Sequence, residues 1–322
     1  MKQLLAIVLS VSALLAAGNT AAQSNYPAKP VRIIVGFPPG GTSDTVARLL
    51  GQKLARALGK PVVIFNVTGA AGSIAADRIA KAEPDGYTLG LVGETLLVIR
   101  PTLYKVAYDP VKDFAPISRV TVQPVLLVVH NTVPARTVPE LIKLARARPG
   151  ELTFATGGSG TAAHLTGEML KSMVGIDIRH IPYKGVGLAI PDLLSGRVTM
   201  MFSPIGIVLP IVHDGKVRAI AVTSLRRSSA APEVPTVAES GYPRFDVTLW
   251  YGLLAPAKTP NAIVGKLHSE TVKALTLPDV RAKFDTLGLE ALGNSPDEFA
   301  AAIKSGIPKW TSVISASGVK LD

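Results

Sequence analysis

The 322 residues contain no cysteine, so no disulfide and no thiolate metal ligand is available, and stability must come from the core. Histidine is scarce as well: the five residues His130, His164, His180, His213 and His268 form no H-x-x-x-H pair, and no metal or other cofactor is expected. Aromatic residues make up 5 % of the chain, and no Lys/Arg block interleaves with them. The cations are scattered ("KLARALGK", "KLARARPG", "SLRRSS") with acids between them, so nucleic-acid binding is not expected. The formal charge of +11 instead favours anionic small ligands by steering, or simply solubility. Beyond the first residues no stretch approaches the ~20 apolar residues of a membrane span, so the protein is not expected to be membrane-embedded. Two nucleotide signatures are also missing. "GFPPGGTSDTVARLL" (36–50) lacks the lysine of a P-loop and the G-x-G-x-x-G of a dinucleotide turn.

What is present starts with "MKQLLAIVLSVSALLAAGNTAAQS": one lysine, an uncharged apolar run, then small residues. This pattern predicts a cleaved signal peptide over residues 1–22 and a periplasmic protein. With 48 % apolar residues, the remainder is long enough for two domains. Strand-like and helix-like segments alternate. "VRIIVGF" precedes a helix with Val46, Leu50, Leu54 and Leu58 on one stripe and Gly59 as its stop. "VVIFNV", "TGAAGS", a helix and "GYTLGLVG" complete a β-α-β-α-β unit, which argues for parallel, doubly wound strands. "FAPISRVTVQPVLLVVHN" reads as a connection running into a strand at 125–130. A capping box (Thr137, Glu140) then opens a helix, and a second alternating unit follows. Near the C-terminus, Thr259 reads as a helix cap, and Ser295 with Glu298 as a second capping box. Crossovers near 120–125 and 222–225 predict lobe 1 from 23–122 plus 225–322 and lobe 2 from 123–224, with a cleft between them.

Three glycine/hydroxyl turns fall at strand ends: Gly36–Asp44, Thr68–Ala76 and Thr156–Leu170. Glycine lets backbone approach a ligand, and a helix N-terminus offers unpaired N–H groups to an anion. Thr42 or Ser43 could cap the first helix and still donate. An ordinary βα turn, with Asp44 as a first-turn acid, is the alternative for the first of them. Lys184, at the end of "HIPYK", is a candidate counter-ion or a solvated surface lysine. An enzymatic alternative is a secreted serine hydrolase using Ser159 and His164, but "GGSGT" lacks the last glycine of G-x-S-x-G and no third partner can be assigned. No catalytic residue is therefore expected.

Taken in order, "YPAKPVRIIVGFPPGGTSDTVAR", "HLTGEML", "IPYKGVGLAIPDLLSGRVTMMF", "GKVRAIAVTSLRRSSAAPEVPTVAESGYPRFDVTLWYGLLAPAKTP" and "PKW" resemble the Bug family. These are the extracytoplasmic solute receptors of tripartite tricarboxylate transporter systems, the TctC-like proteins. The resemblance spans nearly all of the chain after residue 22. It implies an α/β, two-lobed periplasmic binding protein of the Venus-flytrap, type II-like kind, with a mixed, mainly parallel sheet in each lobe. It implies a monomer that binds a small carboxylate and serves a membrane transporter complex. Carried over by position, ligand contacts fall on Phe37, Gly40, Gly41, Thr42 and Asp44, and on Thr68, Gly69 and Gly72. From the other side come Ser159, Gly160, Thr161, His164, Lys184 and Ser203. Thr42, Ser159 and Thr161 would donate hydroxyl bonds, and Phe37 would pack on the ligand's apolar part. Two departures bear on ligand fit. Ala71 stands where the family's N-x-x-G-A-G-G has glycine, and Ala162-Ala163 stand where relatives often carry a polar residue or proline.

Overall fold

The computed structural model describes residues 26–317, so the expected signal peptide lies outside the described residues. Strand β1 (Val31–Val35) is followed by helix α1 (Thr42–Leu58), β2 (Val62–Asn66), a short turn at Ala70–Gly72, α2 (Ser73–Ala80) and β3 (Thr88–Gly93). A π-turn (Thr95–Ile99) leads to α3 (Arg100–Leu103), then to the long strand β4 (Phe114–His130). The middle of the chain forms α4 (Val138–Ala147), β5 (Thr153–Thr156), α5 (Ala162–Val174), β6 (Arg179–Pro182), α6 (Val186–Leu194), β7 (Met200–Pro204), α7 (Ile205–His213) and β8 (Val217–Val222). The chain closes with β9 (Thr248–Pro256), α8 (Asn261–Leu275), α9 (Pro278–Thr286), β10 (Glu290–Ala291) and α10 (Pro296–Ser317).

Strand order along the main path is β2-β1-β3-β9-β4-β7-β5-β6, with β8 and β10 also on β4. Strands β1, β2 and β3 are mutually parallel, as are β5, β6 and β7; β9 and β4 run antiparallel to their neighbours. The fold is thus mixed α/β, as expected. β4 is the shared element. Its first part, through Pro124, pairs with β9, and from Val125 onward it pairs with β7 and β8. Thr223 fastens this switch: its hydroxyl accepts from Val125 N–H at 2.9 Å and donates to Val247 C=O at 2.7 Å.

The sequence reading of 114–124 as a connection needs correction, because this stretch is the first half of a 17-residue strand. Register shifts at Pro116/Ser118 and Arg119/Thr121 break the alternation that would have marked it. Helix α7 also escaped the reading; it is apolar on every side and holds Pro210, so no helical stripe stands out. Thr259 is not a cap: Pro260 occupies that position, and the Thr259 hydroxyl donates to Pro256 C=O. Ser295 and Glu298 do form a reciprocal capping box.

Register places the strand ends. β3 ends at Gly93 opposite Tyr251, which pairs with Thr121. β7 ends at Pro204 opposite Val125. The C-terminal ends of both parallel sets therefore converge on the middle of β4, where α/β sheets hold ligands.

Candidate functional site

The first turn, between β1 and α1, is braced from inside. Asp44 is 3 % exposed, and its carboxylate accepts from Gly40 N–H, Arg48 Nε and Asn66 Nδ2, each at 2.9 Å. Asn66 also donates to Phe37 C=O at 2.9 Å. The Arg48 hydrogen bond, opposed by burial and aided by Gly40 N–H, holds the Asp44 carboxyl down at about 2. Asp44 and Gly40 thus spend their polar groups on each other. Gly41 is the N-cap of α1 and no side chain caps that end, which leaves the first N–H groups of the helix without a side-chain acceptor there. The expectation that Thr42 or Ser43 caps α1 is corrected here. Thr42 is the first helical residue; burial pushes the Tyr251 phenol up to about 12, with the Thr42 side chain acting to lower it. Phe37 stands out from the same turn at 37 % exposure.

The second half of the chain repeats the device with different chemistry. His164 is 4 % exposed, and its Nδ1 accepts from Gly160 N–H at 3.1 Å. In both turns, then, a side chain in the first helical turn holds the N–H of the glycine four residues before it. Because Nδ1 accepts, the His164 proton sits on Nε2, which faces Glu168 Oε1 at 3.8 Å. His164 stacks on His180 at 3.8 Å between ring centroids, and His180 Nε2 bonds the Thr156 hydroxyl at 2.7 Å. Burial first, and nearby Lys171, lower His164 to about 4; burial, His164 and Lys171 lower His180 to about 3.

Other expected site residues have specific places. Thr161 is the N-cap of α5; its hydroxyl accepts from His164 N–H and gives its proton to Gly158 C=O at 2.8 Å, so it is not a free donor. Ser203 is fully buried and donates to Pro204 C=O. Its site is the convergence point, but its hydroxyl proton is spent on that carbonyl. Ser159 is exposed beside the turn, and Lys184 is exposed at the end of β6. Ala162 and Ala163 are buried in the core, on the inward face of α5. The geometry offers no Ser–His dyad: the His164 Nδ1 atom is filled by Gly160 N–H and its Nε2 is turned to Glu168.

The turn after β2 is backbone-strained. Gly69, Ala70, Ala71 and Gly72 all have positive φ, at 121°, 45°, 48° and 93°. Left-handed backbone costs an L-residue roughly 1–2 kcal/mol, and glycine avoids that. Ala71→Gly is therefore expected to stabilise the protein by about 0.5–1 kcal/mol, after the added freedom of the unfolded chain is deducted. A lower melting temperature for this variant would show that the strain argument is wrong.

Sequence reasoning missed Asn66, His180 and Tyr251. Asn66 carried a signal, since a polar residue ends the apolar run "VVIFN" beside the turn. The other two are brought in by strand pairing. Glu94, directly after β3, was missed as well. It is buried, Trp310 Nε1 donates to its Oε1 at 2.8 Å, and its Oε2 has no hydrogen-bond partner. Among the described residues no group of three metal-ligating side chains occurs, and no helix is long and apolar enough to cross a membrane.

Two parallel-strand units, converging at a shared strand and each offering a braced helix N-terminus, define the class: a solute receptor of the periplasmic-binding-protein fold. The chain belongs to the tripartite tricarboxylate transporter family receptors, whose family profile matches residues 46–319. It is 36 % identical to Protein BugT of Bordetella pertussis over 323 residues, covering 100 % of this chain and 99 % of that one. Among solved structures, Rpa4515 of R. palustris with adipate is 33 % identical, with a TM-score of 0.81, over 92 % of this chain and 99 % of that one. MatC (Rpa3494) of Rhodopseudomonas palustris with bound malate is 34 % identical, with a TM-score of 0.77, over 90 % of this chain and 100 % of that one.

Proposed function

We propose that this protein is an exported, monomeric receptor that captures a small carboxylate between two lobes and hands it to a membrane transporter or sensor. The lobes are 23–122 with 225–322, and 123–224, hinged where β4 and the Thr223–Val247 segment change partners. The observation that carries this reading is the paired brace: Asp44 and His164 each fix a glycine turn beside a helix N-terminus at the convergence of the strand ends. One carboxylate group is held by N–H groups at the start of α1 and by the Thr68–Gly72 turn. From the facing lobe, the Ser159–Thr161 turn contributes N–H groups and the Ser159 hydroxyl. Lys184 balances a second carboxylate where the ligand has one. Phe37 covers the ligand's apolar portion. Contacts made only when both lobes engage draw the open form to the closed one. Two related structures, Rpa4515 with adipate and MatC with bound malate, support the carboxylate class.

The test is a thermal-shift screen of the purified protein against mono- and dicarboxylates, amino acids, aromatic acids and neutral sugars. At 100 times Kd a true ligand adds about 2.7 kcal/mol. At least one carboxylate is expected to raise the melting temperature, and Ser159→Ala to reduce that rise. Stabilisation by neutral sugars alone would end the carboxylate reading, and saturable ester hydrolysis that depends on Ser159 would revive the hydrolase.

A further inference from the structure

Away from the cleft, the outer edge of the first sheet is incompletely covered. On one face, α1 runs 17 residues and seals β1, β2 and β3. On the other face lies α2, with only 8 residues. It covers Ile34 and Val92 but stops short of the edge strand. Val63 and Phe65 on β2 are consequently 43 % and 49 % exposed, and Ile74 on α2 is 51 % exposed. Register places Val63 beside Arg32 and Phe65 beside Ile34, so these side chains share one face. Between β2 and α2 runs a groove of about 660 Å³, with Arg32, Arg78 and Lys81 along it and Asp77 as its one acid. Asp77 is already paired with Lys81 at 2.7 Å, which leaves the groove net positive.

An exposed apolar strip of this kind marks an interaction surface. Its charge selects among occupants. A second copy of the chain would bring the same three cations against themselves. A lipid surface is flat, whereas this site is a concave channel between a strand and a helix. We propose that the β2–α2 groove receives an amphipathic segment of a partner protein, whose apolar ridge seats on Val63, Phe65 and Ile74 and whose bordering Asp/Glu side chains meet Arg32 and Arg78. The groove also adjoins the ligand turn. A Cβ placed on Gly69 would lie 2.6 Å from Ile74 Cδ1, so Ile74 rests directly on the turn that follows β2. A partner seated on Ile74 is thereby in contact with the Thr68–Gly72 backbone. The receptor reading makes this partner a membrane component, but recognition by the groove can be measured without assuming it.

The experiment uses the full chain after residue 22 and two fluorescent 14-residue helical peptides. Both carry a Leu/Phe ridge, flanked in one by Glu and in the other by Lys. Anisotropy should show the Glu peptide binding at least 10-fold more tightly than the Lys peptide. Phe65→Ser should weaken it at least 10-fold, Phe65→Leu should preserve it, and Arg78→Glu, which brings the charge along the groove to zero, should abolish the preference. Melting temperatures and the carboxylate thermal shift should stay unchanged in all three variants, which separates a failed groove from a failed receptor. Equal binding of the two peptides, or indifference to Phe65→Ser, would overturn the proposal. So would Phe65-dependent self-association in sedimentation, or Phe65-dependent binding to phosphatidylglycerol vesicles in place of peptide.

Discussion

Asp44→Ala is expected to weaken carboxylate binding roughly 100-fold and to cost about 3 kcal/mol of stability. The two effects share one cause. The Asp44 carboxylate accepts from Gly40, Arg48 and Asn66, and alanine leaves all three donors without that acceptor. Hydrogen bonds to a charged group contribute about 1.5–3 kcal/mol, and the exposed Arg48 recovers part of its share from water. The Asn66 amide N–H groups then have only Phe37 C=O to hold, while its Oδ1 still accepts from Arg48, and the loop from Phe37 to Gly41 can rotate away from the start of α1. Affinity falls because N–H groups that were fixed must be ordered by the ligand itself. Calorimetric titration with the carboxylate found by the thermal-shift screen measures the first effect, and urea unfolding measures the second. Asp44→Asn keeps one acceptor oxygen and should lie between alanine and the native protein. Native affinity in Asp44→Ala would mean that the turn is rigid without its brace, and the paired-brace argument would fall with it.

Asp44 illustrates what was legible in the sequence. Its position in the first turn of a helix, after a glycine pair, was readable from local pattern. That it turns inward was not, because the reason is Asn66, which reaches the site only through the pairing of β1 with β2. The same holds across the molecule. Helix α1 was visible because its apolar stripe has a 3.6-residue period and Gly59 closes it in the left-handed conformation. The first half of β4 was invisible because bulges and two prolines erase the two-residue period. Thr161 reads correctly as a helix start. Its one proton, however, goes to Gly158 C=O, which no local pattern reveals. Local chemistry survives in a sequence; the direction in which a polar group points depends on partners far away in the chain.

The second large effect concerns acid. Above pH 6.5 His164 and His180 are neutral in both folded and unfolded chains. As pH falls below 6.5 the unfolded chain takes up protons that the folded one refuses until about 4 and 3, so stability present above 6.5 is lost. The geometry gives the reason for refusal: a second proton on His164 must sit on Nδ1, where it would face Gly160 N–H, donor against donor. His180, stacked on His164, adds repulsion, and Lys171 adds more, while Glu168 on the same helix is already shared with Lys171. Glu94 works in the opposite sense. Burial pushes its carboxyl up to about 7, so between pH 7 and its ordinary 4.5 the folded protein holds a proton that the unfolded chain has released. Lys309 and Arg119 nearby lower that value and Asp246 raises it, but burial outweighs them. Acidification from pH 7 thus gains stability at Glu94 while losing it at two histidines. The result is near balance between pH 7 and 6, followed by a steep fall below about pH 5, at roughly 1.4 kcal/mol per pH unit for each histidine. Urea midpoints at pH 8, 7, 6, 5 and 4 should trace this shape. Glu94→Gln removes the buried charge, so it should exceed the native protein by about 3 kcal/mol at pH 8 and begin its decline near pH 6.5. His180→Phe keeps a ring against Phe154 and His164 and should flatten the acid limb by removing one of the two proton sites. Because the His164 proton also releases Gly160, carboxylate affinity should fall along the same limb. An acid limb of unchanged slope in His180→Phe would mean that other groups govern it, and the histidine stack would then be packing alone.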